Sequence, residues 1–378
     1  MAIEKINIEK FLELSKHHPV VDVRSPKEYG HAQIPGAYSL PLFTDEERAV
    51  VGTAYKQESR EKAIKHGLDF FGPKMRKMVE EVEGIISNRQ SAIDKSDSQN
   101  NKTLPIANCI LLYCWRGGMR SGAVAWLLDV YGFKVYTLIG GYKKFRNHVL
   151  DTFKLPFDLK ILGGYTGAGK TEVLKELKRN DEVVVDLEDI AKHKGSAFGN
   201  IGLPKQPTQE MFENLLSFEL RAVSYEQKEN SSKAPFRGFG GIWLEDESQR
   251  IGMVNIPHDL WNTMRRSLVY FLAIPFEERL KHLVEEYGSL DKERMIDAII
   301  RIKERLGGLE AKNAIQFLNE NNTAESFRIL LKYYDKWYTK GLHNREHINS
   351  LLHTVNCEFV TPENAKKLVQ QPVYDEKS

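Results

Sequence analysis

Residues 108–127 read NCILLYCWRGGMRSGAVAWL, and no other stretch constrains the fold of this chain as strongly. Cys109, Ile110, Leu111, Leu112 and Tyr113 make an apolar run the length of a buried strand. Cys114 follows at once, then Trp115, Arg116, Gly117, Gly118, Met119, Arg120 and Ser121. Paired glycines permit a sharp turn that a bulky residue resists. Residues 122–128 are small and apolar at helical spacing. The stretch therefore predicts strand, tight loop, helix, with a cysteine at the strand exit above the helix start. Backbone N–H groups converge on such a position, and the helix end adds partial positive charge. These surroundings lower a thiol from its usual pKa of about 8.5 and populate the thiolate. Arg116 and Arg120 add full charges. A buried structural cysteine is the alternative, but an inert thiol gains nothing from Gly-Gly and two arginines. The residues point to a sulfur nucleophile or carrier with an oxyanion bound beside it.

A second strand–loop–helix lies downstream. Residues 159–162 are a short strand, and residues 164–171, GYTGAGKT, match the phosphate-binding P-loop pattern before a helix at 172–179. Gly164, Gly167 and Gly169 let backbone N–H groups wrap phosphate oxygens, Lys170 neutralises the terminal phosphates, and Thr171 can bind magnesium. Residues 183–186 read as a strand ending in Asp186, and residues 241–248 as another ending in Glu245, Asp246 and Glu247. Any of these acids could serve the metal or substrate; the sequence does not choose. The polar loop at 187–199, with Glu188 and His193, belongs at the carboxyl edge of the sheet, where open α/β sheets bind ligands.

The rest of the chain is organised around these two motifs. A length of 378 residues exceeds one ordinary domain. The expected fold is α/β, with an N-terminal domain at 1–150, a P-loop parallel-sheet core at 151–275, and a helical C-terminal region at 276–378. Residues 6–16 have helical apolar spacing, and Thr44 with Asp45, Glu46 and Glu47 starts a helix. A helical insertion occupies about 44–103, broken near Gly72 and Pro73, with a polar loop at 91–103. Lys143, Lys144 and Arg146, interleaved with Tyr142 and Phe145, could meet RNA phosphates and stack a base, although a solvated helix face is commoner. Tyr333, Tyr334, Trp337 and Tyr338 close a helix at 324–340, where packing is the commoner role and base stacking the alternative.

Composition excludes several classes. Three cysteines give no disulfide framework and suit a reducing cytoplasm. No apolar run approaches a membrane span. A net charge of +2 with pI about 8.2 is too mild to imply nucleic-acid binding by itself, so phosphates must be met by local patches.

The Cys114 loop resembles the active-site loop of rhodaneses, which carry sulfur as a cysteine persulfide. Residues 20–31 with 34–37, holding Asp22-Val23-Arg24 and Pro35-Gly36-Ala37, are similar to the rhodanese opening, and residues 136–142 to its closing strand and Gly-Gly turn. A rhodanese-like domain followed by a P-loop domain in this order resembles the tRNA 2-selenouridine synthase family. The resemblance covers most of the chain. It implies a transferase acting on the anticodon-loop wobble 2-thiouridine of tRNA. Geranyl diphosphate first alkylates the sulfur, and selenium from selenophosphate then displaces it. A selenophosphate-producing enzyme is a candidate partner. We expect no tightly bound cofactor, with magnesium at Thr171 the ion to consider. The roles assigned here are selenium carrier or attacking group for Cys114, oxyanion loop for Trp115 through Arg120, and diphosphate cradle for residues 164–171, with Phe198 and Trp243 as candidate walls for the apolar tail. Two other readings remain: an ATP-dependent rhodanese-type sulfurtransferase acting on tRNA or another acceptor, and a nucleotide-binding regulatory protein, against which Cys114 argues.

Overall fold

In the computed structural model, which describes residues 3–96, 108–230, 241–288 and 291–369, the chain divides into Met1–Asp151 and Thr152–Ser378. Each unit is built on its own parallel sheet.

The first unit carries strands β1 (Glu4–Ile6), β2 (Val20–Asp22), β3 (Tyr38–Ser39), β4 (Cys109–Tyr113) and β5 (Lys134–Leu138), in the order β1-β5-β4-β2-β3. Its helices are α1 (Ile8–Ser15), α2 (Pro26–His31), α3 (Asp45–Gln57), α4 (Arg60–Phe71), α5 (Met75–Ser96), α6 (Met119–Tyr131) and α7 (Gly141–Thr152). β4 is buried at all five positions, as a central parallel strand covered on both faces should be. Asn7 caps α1, so residue 6, read from sequence as helical, instead ends an edge strand. Thr44 caps α3 in a reciprocal box with Glu47, as its sequence predicts. The chain breaks at Gly72–Lys74, where a short 3-10 turn separates α4 from α5. The insertion helices are not appendages: Phe71, Met78, Val79 and Val82 join Val21, Ile110 and Leu112 in one core. α5 runs through Ser96, so residues 91–96, read as loop, are helical; residues 97–103 of that expected loop lie outside the described residues.

In the second unit β6 (Leu159–Gly164), β7 (Ile242–Glu245), β10 (Leu268–Ala273) and β11 (Leu352–Asn356) form a parallel sheet ordered β11-β10-β6-β7, while β8 (Arg250–Ile251) and β9 (Val254–Asn255) make a separate antiparallel pair. Helices α8 (Lys170–Arg179), α9 (Leu187–Ala191), α10 (Gln209–Asn230) and α11 (His258–Arg265) alternate with these strands. Then come α12 (Phe276–Tyr287), α13 (Lys292–Leu306), α14 (Gly308–Asn319), α15 (Thr323–His343), α16 (Ile348–Leu351) and α17 (Asn364–Val369). Two expectations change here. Residues 183–186 do not form a full strand: a single parallel bridge joins Val184 to Trp243, and Asp186 leaves the sheet to cap α9. The region 276–378 is not wholly helical, because β11 pairs with β10 through five residues. β11 has a half-buried Leu352, exposed His353, Thr354 and Asn356, and one buried residue, Val355, too weak a pattern to stand out in sequence.

Candidate functional site

Two sites follow from this framework, one in each unit. In the first, β4 delivers Cys114, a residue 3% exposed, to the start of α6, where its sulfur lies 3.2 Å from the Ser121 hydroxyl. Burial alone raises this thiol. Hydrogen bonds from the Ser121 hydroxyl and from the backbone amides of Ser121, Arg116 and Gly118 outweigh it, and the net shift is downward. Cys109, at the other end of β4, has no such donors, and burial pushes it up to about 11.

The loop's shape depends on two glycines that face one another. Gly117 has φ +66°, and a side chain there would meet the Leu138 carbonyl at 2.4 Å. Gly141 has φ +57°, and a side chain there would meet the Cys114 carbonyl at 2.2 Å. This contact lets the first amides of α7 reach the loop, Tyr142 N–H donating to Cys114 O at 2.8 Å and Lys143 N–H to Trp115 O at 3.0 Å. Underneath, Arg24 donates to both Asp22 oxygens and to the Ala32 carbonyl, and its guanidinium lies 3.8 Å from the Tyr142 ring centre. Breaking so buried an ion pair by removing one partner costs roughly 3–5 kcal/mol.

Around the sulfur, Trp115 is 38% and Met119 53% exposed, and Arg116 is exposed with no ion-pair partner among the described residues. Arg120 differs from expectation. It is bound to Glu28 at 2.7 Å, so its charge is already compensated and it braces the loop instead of facing a ligand. The basic cluster on α7 is also altered. Tyr142 and Phe145 are buried and cannot stack a base, Arg146 has interactions of its own, and Lys143 and Lys144 are exposed.

In the second unit the loop between β6 and α8 bounds a cavity of about 990 Å³. Gly167 and Gly169 take φ +80° and +68°, values that suit glycine. Arg279, buried and paired with Asp335 at 2.8 Å, donates to the Thr166 carbonyl and holds the loop's apex. Lys170 reaches back to the Gly164 carbonyl at 3.2 Å. The Gly164 amide donates to the Tyr338 hydroxyl, which in turn donates to Asp246 at 2.6 Å; Arg345 binds the other Asp246 oxygen.

The acids sort themselves by geometry. Asp186 accepts from Asp189 N–H as a helix cap, and Glu245, fully buried, accepts from Leu187 N–H. Neither lines the cavity, while Asp246 lines it but is held by Tyr338 and Arg345. The carboxylate that meets the Thr171 hydroxyl, at 3.3 Å, is Glu188, which is hydrogen-bonded to Glu247. Burial first, then repulsion from Glu188, raises Glu247 to about 8; burial, with repulsion from Asp186, also lifts Glu188, although Lys170 pulls both the other way. Glu188 reads in sequence as part of a polar loop at 187–199; the fold makes its start the short helix α9, whose first turn faces Thr171. Among the described residues no cluster of three or more His, Cys, Asp or Glu could hold a metal alone. Thr171 and Glu188 nevertheless fit magnesium, a hard ion that takes oxygen ligands and is commonly completed by substrate phosphates.

The aromatic residues of α15 are more than packing: Tyr333, Tyr334, Trp337 and Tyr338 all line the cavity. Trp243 does not. It is 1% exposed, packed at a tilt against Tyr270 and bonded through its ring N–H to Glu182.

The family model "tRNA 2-selenouridine synthase AAA domain" matches residues 157–356. A tRNA 2-selenouridine synthase of Bdellovibrio bacteriovorus is 31% identical, with 93% of this chain and 96% of that protein aligned. That of Hydrogenovibrio crunogenus is 33% identical over 88% of this chain and 91% of its own. The chain belongs to the tRNA 2-selenouridine synthase family. A third member, from Pseudomonas savastanoi pv. phaseolicola, is 32% identical over 87% of the chain and 89% of its own. These alignments extend well beyond residues 157–356, into the first unit. Among the described residues no helix is long and apolar enough to cross a membrane.

Proposed function

We propose that this protein is a tRNA-modifying transferase that converts wobble 2-thiouridine to 2-selenouridine through an S-geranyl intermediate. The observation that carries the reading is the pairing, within one member of this family, of a thiol loop with an exposed arginine and a phosphate cradle opening on a cavity of about 990 Å³. We read the first unit as rhodanese-like and the second as the geranylation site.

In the first step the tRNA sulfur forms a bond to C1 of geranyl diphosphate. The C1–O bond breaks, its electron pair leaves with diphosphate, and the N3 proton of the base is released. The 164–171 amides and Lys170 stabilise that leaving charge. Diphosphate departure needs charge neutralisation and no nucleotide hydrolysis. Magnesium, held by Thr171 and Glu188, would add further countercharge. In the second step the Cys114 thiolate attacks C2 of the base and the C2–S bond breaks, expelling geranylthiol. The selenium of selenophosphate then forms a bond to C2, and the C2–S bond to Cys114 breaks and regenerates the thiolate. Water cleaves the P–Se bond to release phosphate. Arg116 with the loop amides holds the selenophosphate oxyanion. Lys143 and Lys144 are the candidate tRNA phosphate contacts. The protein works in the reducing cytoplasm, supplied by a selenophosphate-producing enzyme.

Mass spectrometry of nucleosides from tRNA treated with purified protein tests the scheme. Cys114→Ala should leave S-geranyl-2-thiouridine and lose 2-selenouridine. Full selenation by that variant removes Cys114 from the mechanism. ATP hydrolysed in step with turnover would return the P-loop to the sulfurtransferase reading.

A further inference from the structure

A second cavity, of about 40 Å³, adjoins the first and shares Thr166, Ser196, Leu283, Tyr287 and Tyr334 with it. Its remaining walls are Phe198, Phe327, Leu330 and Leu331, all buried and all apolar. One space therefore begins at a phosphate-binding loop and ends in a slot with hydrocarbon walls. The junction is built closely: a side chain added at Gly167 would meet the Arg279 carbonyl at 2.8 Å and Leu283 Cγ at 2.9 Å. The slot is also stiff. Phe327 packs edge-on against Phe198 and Tyr287, with ring centres 6.2 and 6.4 Å away, and the Tyr334 hydroxyl accepts from Ala197 N–H.

We propose that this slot receives the distal end of the prenyl chain and so sets the chain length that the protein uses. The inference rests on the prenyl diphosphate reading given above and names its specificity determinant. A ligand with a phosphate head and an apolar tail matches both ends of the space. A slot of about 40 Å³ is too small for the whole geranyl chain, so only the end enters. The intervening carbons lie along Leu283, Tyr287 and Tyr334 in the larger cavity. Phe198, on the loop that follows α9, closes the floor together with Phe327 and is the residue whose size fixes the depth.

The test uses full-length protein and tRNA bearing 2-thiouridine, with dimethylallyl, geranyl and farnesyl diphosphates as competing donors. Nucleoside mass spectrometry gives the ratio of kcat/KM values. A single methylene in an apolar pocket changes this ratio about 10- to 200-fold. Phe198→Ala should deepen the slot and raise farnesyl relative to geranyl transfer by at least ~10-fold. Phe198→Trp should fill it and move preference toward dimethylallyl by a similar factor, so the two variants shift selectivity in opposite directions. Thermal melting shows whether each is folded. Unchanged ratios in whichever variant folds overturn the slot while leaving the diphosphate reading intact. Failure of wild type to transfer any prenyl group overturns that reading, and the slot with it.

Discussion

The Ser121 hydroxyl, in the first turn of α6, lies 3.2 Å from the Cys114 sulfur. This contact joins three backbone amides in holding the thiol below its ordinary pKa despite burial. Ser121→Ala should therefore move the thiol upward. Iodoacetamide alkylation of Cys114 measured across pH should show its midpoint displaced to higher pH, with slower reaction at pH 7 and equal rates once both thiols are ionised. An unshifted midpoint would assign the lowering to the amides alone.

The facing glycines give a stability prediction. Gly141→Ala forces a left-handed residue and a Cβ into the Cys114 carbonyl, which cannot move without dragging β4's end. The left-handed conformation alone costs roughly 1–2 kcal/mol for a residue with a side chain. The whole change should exceed ~2 kcal/mol in urea melts of the first unit's transition. Gly118→Ala is the control, since a side chain there meets nothing within 4 Å.

Lys170→Ala should lower geranylation by roughly 10²–10³-fold, the usual range for removing one preorganised charge-stabilising donor. Selenation of tRNA supplied already geranylated should change far less. Comparable losses in both reactions would mean that Lys170 acts on something common to the two steps.

The Glu188–Glu247 pair predicts a pH dependence. A carboxyl that titrates near 4.5 in the unfolded chain and near 8 in the native one binds more protons when folded through that window. The second unit should thus lose stability as pH rises from about 4.5 to 8, with Glu188 acting in the same direction. Glu247→Gln should flatten this slope. Melting temperatures that climb through the same range in wild type would contradict the assignment.

On the first unit, Lys143→Gln with Lys144→Gln should weaken tRNA binding and make its logarithmic salt dependence shallower by roughly 1.4–1.8, the value for two phosphate contacts. An unchanged slope assigns both lysines to an ordinary solvated face.

What could be read from sequence was what short range decides. β4 emerges where its apolar run lies, Thr44 caps α3, and the strand–loop–helix around Lys170 forms as written. The misplacements arise from partners distant in the chain. Arg120 looked free until Glu28 came to meet it. Tyr142 looked available until Arg24 covered its ring. Asp186, Glu245 and Asp246 carried the expected acids, yet helix capping, burial and Tyr338 occupy them, and the turn at Glu188 reaches Thr171 instead. No spacing rule encodes which of several neighbouring carboxylates will face a loop.

β11 closes the side of β10 opposite β6, although β6 and the phosphate loop are specified almost two hundred residues earlier. At about 5–20 residues per second, ribosomal synthesis takes roughly 10–40 s to cover that interval. From the completion of β10 to the start of β11, roughly 4–16 s of that interval, the nascent second unit has its phosphate loop but an open edge on β10. Exposed strand edges template wrong pairings. A chain stopped before Leu352 should accordingly be insoluble even though every phosphate-loop residue is present.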